Sequence, residues 1–317
     1  MAVAVEARNL QKMYGNFQAV AGIDFQIKRG ECFGILGPNG AGKTTVVSMI
    51  YCFLPVTGGE LIVLGKDVNT EERSIKKSLG VVPQENNLDL ELTVRENLLV
   101  YAGYYGIKKS EAEKRAEDLL HFFGLASKAN QEVEHISGGM KRRLTIARGL
   151  IHTPEILILD EPTTGLDPQS RRLIWEHLRK LKSRGLTLIL TTHYMEEANE
   201  LCDELIVIDR GSILEQGKPQ ALIGKHVGSK VVEVDLEPEH IDELLSALKQ
   251  IICGYQVAGS TVYIFIPEDE TEALKVINSN GHVESYRVRP SNLEDVFLKL
   301  TGRGLDYAEI EEPGRLL

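Results

Sequence analysis

The chain has 317 residues, 43% hydrophobic and 26% charged, with 36 basic against 46 acidic side chains for a formal net charge of −10. That length allows two domains with sizeable cores and excludes both a staple-dependent miniature and a disordered chain, while the acidic balance speaks against a nucleic-acid partner. The longest near-apolar run, 98–107, is too short to cross a bilayer and is broken by Gly103 and Gly106, and Glu6 and Arg8 interrupt any apolar leader, so the expected location is cytoplasmic.

Residues 1–30 alternate polar and apolar side chains between Gly15, Gly22 and Gly30, which predicts a small antiparallel sheet. A strand at 31–36, a glycine-rich loop and a helix at 44–53 follow. Further strands at 79–82, 156–159, 186–191 and 205–208 include several that are apolar throughout, as parallel strands covered on both faces are. Helical composition at 93–105, 110–123 and 139–152 predicts an insertion over about 86–152, with Ser110 and Glu113 spaced as a capping box for its second helix. From residue 229 the order is strand 231–236, helix 238–250, strands 255–258 and 261–266 around Gly259-Ser260, helix 269–280, strand 283–289 and helix 292–300. That βαββαβ order predicts a ferredoxin-like module. The expected fold is therefore α/β: a domain over 1–220 with a mostly parallel sheet, an antiparallel β subdomain and a helical insertion, then a small α+β domain over 229–305 and an acidic tail over 306–317. Cys32, Cys52, Cys202 and Cys253 form no CxxC pair and are expected to be buried free thiols.

The residues Gly37, Pro38, Asn39, Gly40, Ala41, Gly42, Lys43 and Thr44 match the phosphate-loop pattern G-x-x-x-x-G-K-[ST], with Thr45 next in the helix. Its strand–loop–helix setting is the one the mechanism needs. Glycines let backbone N–H groups turn toward an anion, Lys43 brings charge to the outer phosphates, and Thr44 offers an oxygen to Mg2+. Asp160 and Glu161 end an apolar strand, where ligands of open parallel sheets sit. Asp160 is a candidate Mg2+ ligand, and Glu161 a candidate base for an attacking water. Ser137, Gly138 and Gly139 precede a helix and make a second anion cradle. Lys141, Arg142 and Arg143 are expected to form a solvated helix face, the alternative being that they bind the anionic site or a partner.

In combination these motifs resemble the ATP-binding-cassette (ABC) family over about residues 1–220. The resemblance implies a P-loop NTPase cassette that binds and hydrolyses ATP with Mg2+. It assigns Tyr14 to adenine stacking, Gln84 to the residue bridging Mg2+ and attacking water, His193 to the sensor of the terminal phosphate, and Asp167 to the loop crossing the dimer seam. Ser137-Gly138-Gly139 would be the signature sequence, although Met140 stands where glutamine is usual and Ile136 where leucine is. The family's arrangement implies a homodimer or a second cassette, with each nucleotide held between phosphate loop and signature. Separate integral membrane subunits would contact 85–97 and hold the protein on the inner face of the cell membrane. Gly165-Leu166-Asp167-Pro168, the run 139–143 and the closing 293–297 are similar to ABC-2-type exporters, nodulation-type lipo-chitooligosaccharide and drug-resistance exporters among them. The C-terminal module is open to two roles, stabilising the dimer or regulating ATPase activity. An alternative reading is a soluble cassette ATPase acting on ribosomes or DNA.

Overall fold

The computed structural model describes residues 2–267 and 269–302; the expected acidic tail lies outside them. The chain divides into two compact units, the first ending at Ile213 and the second beginning at Leu214.

The first unit opens with β1 (Val3–Tyr14) and β2 (Phe17–Lys28), paired antiparallel. Then come β3 (Cys32–Leu36), α1 (Lys43–Ile50), β4 (Gly58–Val63), β5 (Lys66–Asp67), α2 (Glu72–Lys77) and β6 (Leu79–Val82). The insertion supplies α3 (Val94–Tyr104), α4 (Lys109–Phe122) and α5 (Gly138–Leu150), after which β7 (Ile156–Asp160), α6 (Pro168–Ser183), β8 (Thr187–Thr192), α7 (Met195–Leu201) and β9 (Glu204–Asp209) alternate, and the boundary between the units falls within β10 (Ser212–Gly217). One sheet has the order β2-β1-β4-β5; the other runs β10-β9-β3-β8-β7-β6, and β9-β3-β8-β7-β6 are parallel. Every residue of β3, β7 and β8 is buried, which is why β3 and β7 show near-continuous apolar runs without alternation. Valines and isoleucines of α1, among them Val46, Val47 and Ile50, fill the space between the two sheets with Val5, Ile27 and Ile158.

Two local expectations are corrected. α4 begins at Lys109 with Lys108 at its N-cap, so Ser110 already lies in the first turn and caps nothing. The turn out of α3 uses only residues 105–108, with Gly106 at φ 68°, and leaves no room for a later start. The capping box belongs to the previous helix, where Thr93 Oγ1 accepts from the Glu96 N–H at 3.2 Å and Glu96 Oε2 accepts from the Thr93 N–H at 2.9 Å. Of the cysteines, Cys32 and Cys202 are buried, Cys52 is half-buried and Cys253 is exposed.

The second unit contains α8 (Pro219–His226), β11 (Lys230–Leu236), α9 (Ile241–Leu248), β12 (Gly254–Ala258), β13 (Thr261–Ile266), α10 (Thr271–Ser279), β14 (Val283–Pro290) and α11 (Leu293–Thr301). Its sheet order β12-β13-β11-β14, antiparallel throughout, is that of a split βαβ pair. The helix expected at 238–250 is divided into a 3-10 turn over Pro238–His240 and α9. The start of α11 is tied down by Asn292, whose Oδ1 accepts from Glu294 and Asp295 N–H groups, and by Arg289, whose guanidinium makes two bonds to Asp295 at 2.8 and 2.6 Å and one to Glu233. Asp295 is buried, so its charge depends on that fork. Arg289→Ala is expected to cost about 3 kcal/mol by stranding the Asp295 carboxylate; urea unfolding of the full chain, followed at the transition of the second unit, measures it.

Candidate active site

The phosphate-loop residues leave the carboxyl end of β3 and enter α1, as expected. Close packing restricts two of its glycines. A Cβ on Gly37 would sit 2.2 Å from the Ile208 carbonyl oxygen, and one on Gly42 would sit 2.6 Å from that of Ala19, with φ already at 104°. Gly42 is also the N-cap of α1 and offers no capping side chain, so the first N–H groups of that helix face the loop uncapped. Lys43 is buried, and its Nζ donates to the carbonyls of Gly37 at 2.9 Å and Pro38 at 3.0 Å. Those bonds fold its side chain back under the loop.

Opposite the loop lie the ends of β7 and β8. Asp160 Oδ1 accepts from Thr44 Oγ1 at 3.3 Å and from Thr191 Oγ1. Glu161 turns out of the strand at φ 45°, its N–H bonded to Thr191 Oγ1 at 3.0 Å. One of its carboxylate oxygens faces Lys43 Nζ at 3.3 Å and His193 Nδ1 at 3.2 Å; the other accepts from Gln84 Nε2 at 3.2 Å and Thr164 Oγ1 at 3.1 Å. Burial pushes this carboxyl up, but His193 and the Lys43 charge outweigh it and hold the pKa at about 2. For Lys43 burial dominates and lowers the pKa despite the Glu161 charge.

Above these groups opens a cleft of about 540 Å³ bordered by Tyr14, Phe17, Asn39, Thr45, Gln84 and Glu161. Tyr14 and Phe17 are 45% and 65% exposed, so the cleft mouth presents two aromatic rings; the family resemblance pointed to Tyr14 and not to Phe17. The remaining sequence candidates lie at other helix starts. Ser137 Oγ accepts from the Met140 N–H at 3.3 Å at the head of α5, where Gly138 and Gly139 form the first turn, and Asp167 caps α6 by accepting from the Ser170 N–H at 2.9 Å. A Cβ on Gly139 would fall 2.6 Å from Ser170 Oγ, so the two helix starts abut. None of these four residues borders the cleft of this chain.

Arg142 overturns the expectation of a solvated face. It is buried, and its guanidinium makes five bonds to backbone carbonyls: Pro83 at 2.5 Å, Gln84 at 3.1 Å, Asp160 at 3.0 Å, Glu161 at 3.2 Å and Pro162 at 2.7 Å. Burial pulls its pKa down to about 10, and it remains charged at neutral pH. The signal was in the period: residues 142, 145, 146 and 149 share one helix face, and all four are buried. Arg143 is half-buried on the Phe123 carbonyl at 2.6 Å. Glu197 was also missed. Buried in α7, it accepts from Thr163 Oγ1 at 2.7 Å and Trp175 Nε1 at 3.1 Å, and so ties the segment after Glu161 to the helix after His193.

Among the described residues no helix is long and apolar enough to cross a membrane. Residues 20–164 match the ABC transporter family and residues 242–302 the C-terminal domain of the nodulation factor export protein NodI. The Nod factor export ATP-binding protein I of Rhizobium sp. (strain N33) is 45% identical over 96% of this chain and 99% of its own length; that of Rhizobium meliloti (strain 1021) is 46% identical over 96% and 89%. Among solved structures, a dimeric ATP-binding cassette in a post-hydrolysis state with ADP and Pi superposes with a TM-score of 0.62 at 30% identity, covering 68% of this chain and 98% of that one. The cbiO1 protein of Clostridium perfringens, part of the ABC transporter complex cbiONQ, gives 0.66 at 28% identity over 79% and 98%. The chain therefore belongs to the ABC transporter family, as an ATPase cassette of the export-subunit type.

Proposed function

We propose that the Tyr14–Glu161 cleft binds ATP with Mg2+, that two cassettes close on it, and that its hydrolysis drives export through a separate ABC-2-type permease on the inner face of the cell membrane. The carrying observation is the convergence of Lys43, His193 and Gln84 on the single carboxylate of Glu161 at the mouth of the phosphate loop. Hard oxygen donors at Thr44 and Asp160, with the Gln84 amide beside them, fit Mg2+, which would neutralise phosphate charge there. Tyr14 stacks on the adenine; Gly40, with nothing near its Cβ position, leaves room for the phosphates, while Gly37 and Gly42 let the loop pack against the Ile208 and Ala19 carbonyls. Lys43 moves from Glu161 to the outer phosphates, which removes a charge that depresses the Glu161 carboxyl and makes it a better proton acceptor. Glu161 then takes a proton from the water as its oxygen bonds the terminal phosphorus and the bond to the β,γ-bridging oxygen breaks, giving ADP and phosphate; Gln84 orients that water, and His193 senses the phosphate.

Ser137, Gly138, Gly139 and Asp167 sit away from the cleft of their own chain, a placement that supports their meeting the nucleotide bound to a partner cassette. We assign the catalytic cassette to residues 1–220 and the accessory module to 229–305, and place permease docking along 85–97, where the Leu90 side chain is 47% exposed. The substrate favoured by the relatives' names is a Nod factor; the ribosome- or DNA-acting alternative finds no support in them.

Glu161→Gln is expected to bind ATP within about threefold of wild type and to lose about 10²–10³-fold in kcat, with a stable ATP-bound dimer by light scattering; full turnover would remove Glu161 as the base. Lys43→Ala should weaken ATP at least about tenfold in a direct binding assay. Arg142→Ala should lower kcat at least about tenfold with KM for ATP little changed, and Arg142→Lys should restore part of it; an equal fall in binding would mean that Arg142 shapes the cleft itself rather than the loops carrying Gln84 and Glu161.

A further inference from the structure

His240, Glu243 and His282 come together on the second unit, with one donor atom from each lying within 4.8 Å of the other two. His240 immediately precedes α9 and Glu243 sits in its first turn, three residues on and on the same face. His282 lies in the turn between α10 and β14, where its N–H donates to Asn280 Oδ1 at 2.9 Å. The backbone around each donor is anchored in one core: Ile241 and Leu244 flank the first two, Val283 follows the third, and Ile277 packs with them. The side chains themselves are free to adjust, since Glu243 and His282 are exposed.

The two imidazoles stack at 3.6 Å between ring centroids and 13° between planes. Nearly parallel rings cannot both aim in-plane lone pairs at one ion, so binding requires the exposed His282 ring to swing out of the stack. Donors around a tetrahedral ion stand about 3.3 Å apart, and these three already lie within 4.8 Å of one another, so a side-chain adjustment suffices. The positive end of α9 opposes a cation, and acidic groups answer it: Asp242 and Glu243 lie in the first turn, and Glu239 Oε1 lies 3.4 Å from His240 Nε2. Two imidazole nitrogens and a carboxylate suit a borderline divalent ion such as Zn2+ or Ni2+ and are a poor match for Mg2+ or Ca2+.

We propose that His240, Glu243 and His282 form a surface site for a borderline divalent transition-metal ion, independent of the nucleotide cleft, that clasps the start of α9 to the α10–β14 turn. The test is calorimetric titration of the full, untagged, metal-stripped chain with Zn2+ in excess Mg2+, alongside His282→Ala, His240→Ala/His282→Ala and Cys253→Ser. One equivalent of Zn2+ is expected for wild type and for Cys253→Ser, with a higher thermal midpoint when Zn2+ is bound, and at least about tenfold weaker binding in both histidine variants. Unchanged ATP turnover and an unchanged metal-free thermal midpoint in those variants show that they are folded. The proposal is overturned if wild type takes up no Zn2+ over Mg2+, if the double histidine variant binds as wild type does, or if only Cys253→Ser loses the site.

Discussion

A carboxylate removed from water survives as an anion only where other groups pay attention to its charge, and Glu161 has four of them. Lys43, His193, Gln84 and Thr164 reach it from the phosphate loop, the end of β8, the end of β6 and its own loop. Because each partner comes from a different segment, the position of this one side chain records whether those segments are in register. The parallel sheet makes that possible: β3, β6, β7 and β8 all end on the same side, so what their terminal loops carry is delivered to one place.

Beneath the carboxylate lies a second organising group of opposite sign. Arg142 spends its guanidinium on the carbonyls of Pro83, Gln84, Asp160, Glu161 and Pro162. Backbone carbonyls at strand ends have no ladder partner, and a buried one left unpaired is costly. One planar cation satisfies five at once and thereby fixes the spacing between the loop bearing Gln84 and the loop bearing Glu161. Since Arg142 belongs to the same helix as Ser137, Gly138 and Gly139, a movement of α5 cannot leave those loops untouched.

The phosphate loop, Asp160 and Glu161 were legible because they stand in consecutive residues beside strands whose apolar runs mark them, whereas Gln84 and His193 could be named only through the family resemblance, and the fold brings both against Glu161. The order of the second unit was legible for the same reason, through alternating elements separated by clear turns. Ser110 misled because its spacing to Glu113 is right while its place in the chain is already inside α4; Thr93 and Glu96 have the same spacing at a true helix start. Arg142 was read by its charge when its period placed it with buried neighbours. Glu197 could not be found at all, since Thr163 and Trp175, which give it a purpose, are distant in sequence and meet it only after folding.

The bare start of α1 has a further consequence. A helix headed by Gly42 lacks the capping side-chain oxygen, a difference of about a few tenths of a kcal/mol against Ser or Asp, and leaves its first N–H groups without a side-chain acceptor. Whatever anion settles there supplies the missing acceptor, so that ligand recognition and completion of the helix become a single event.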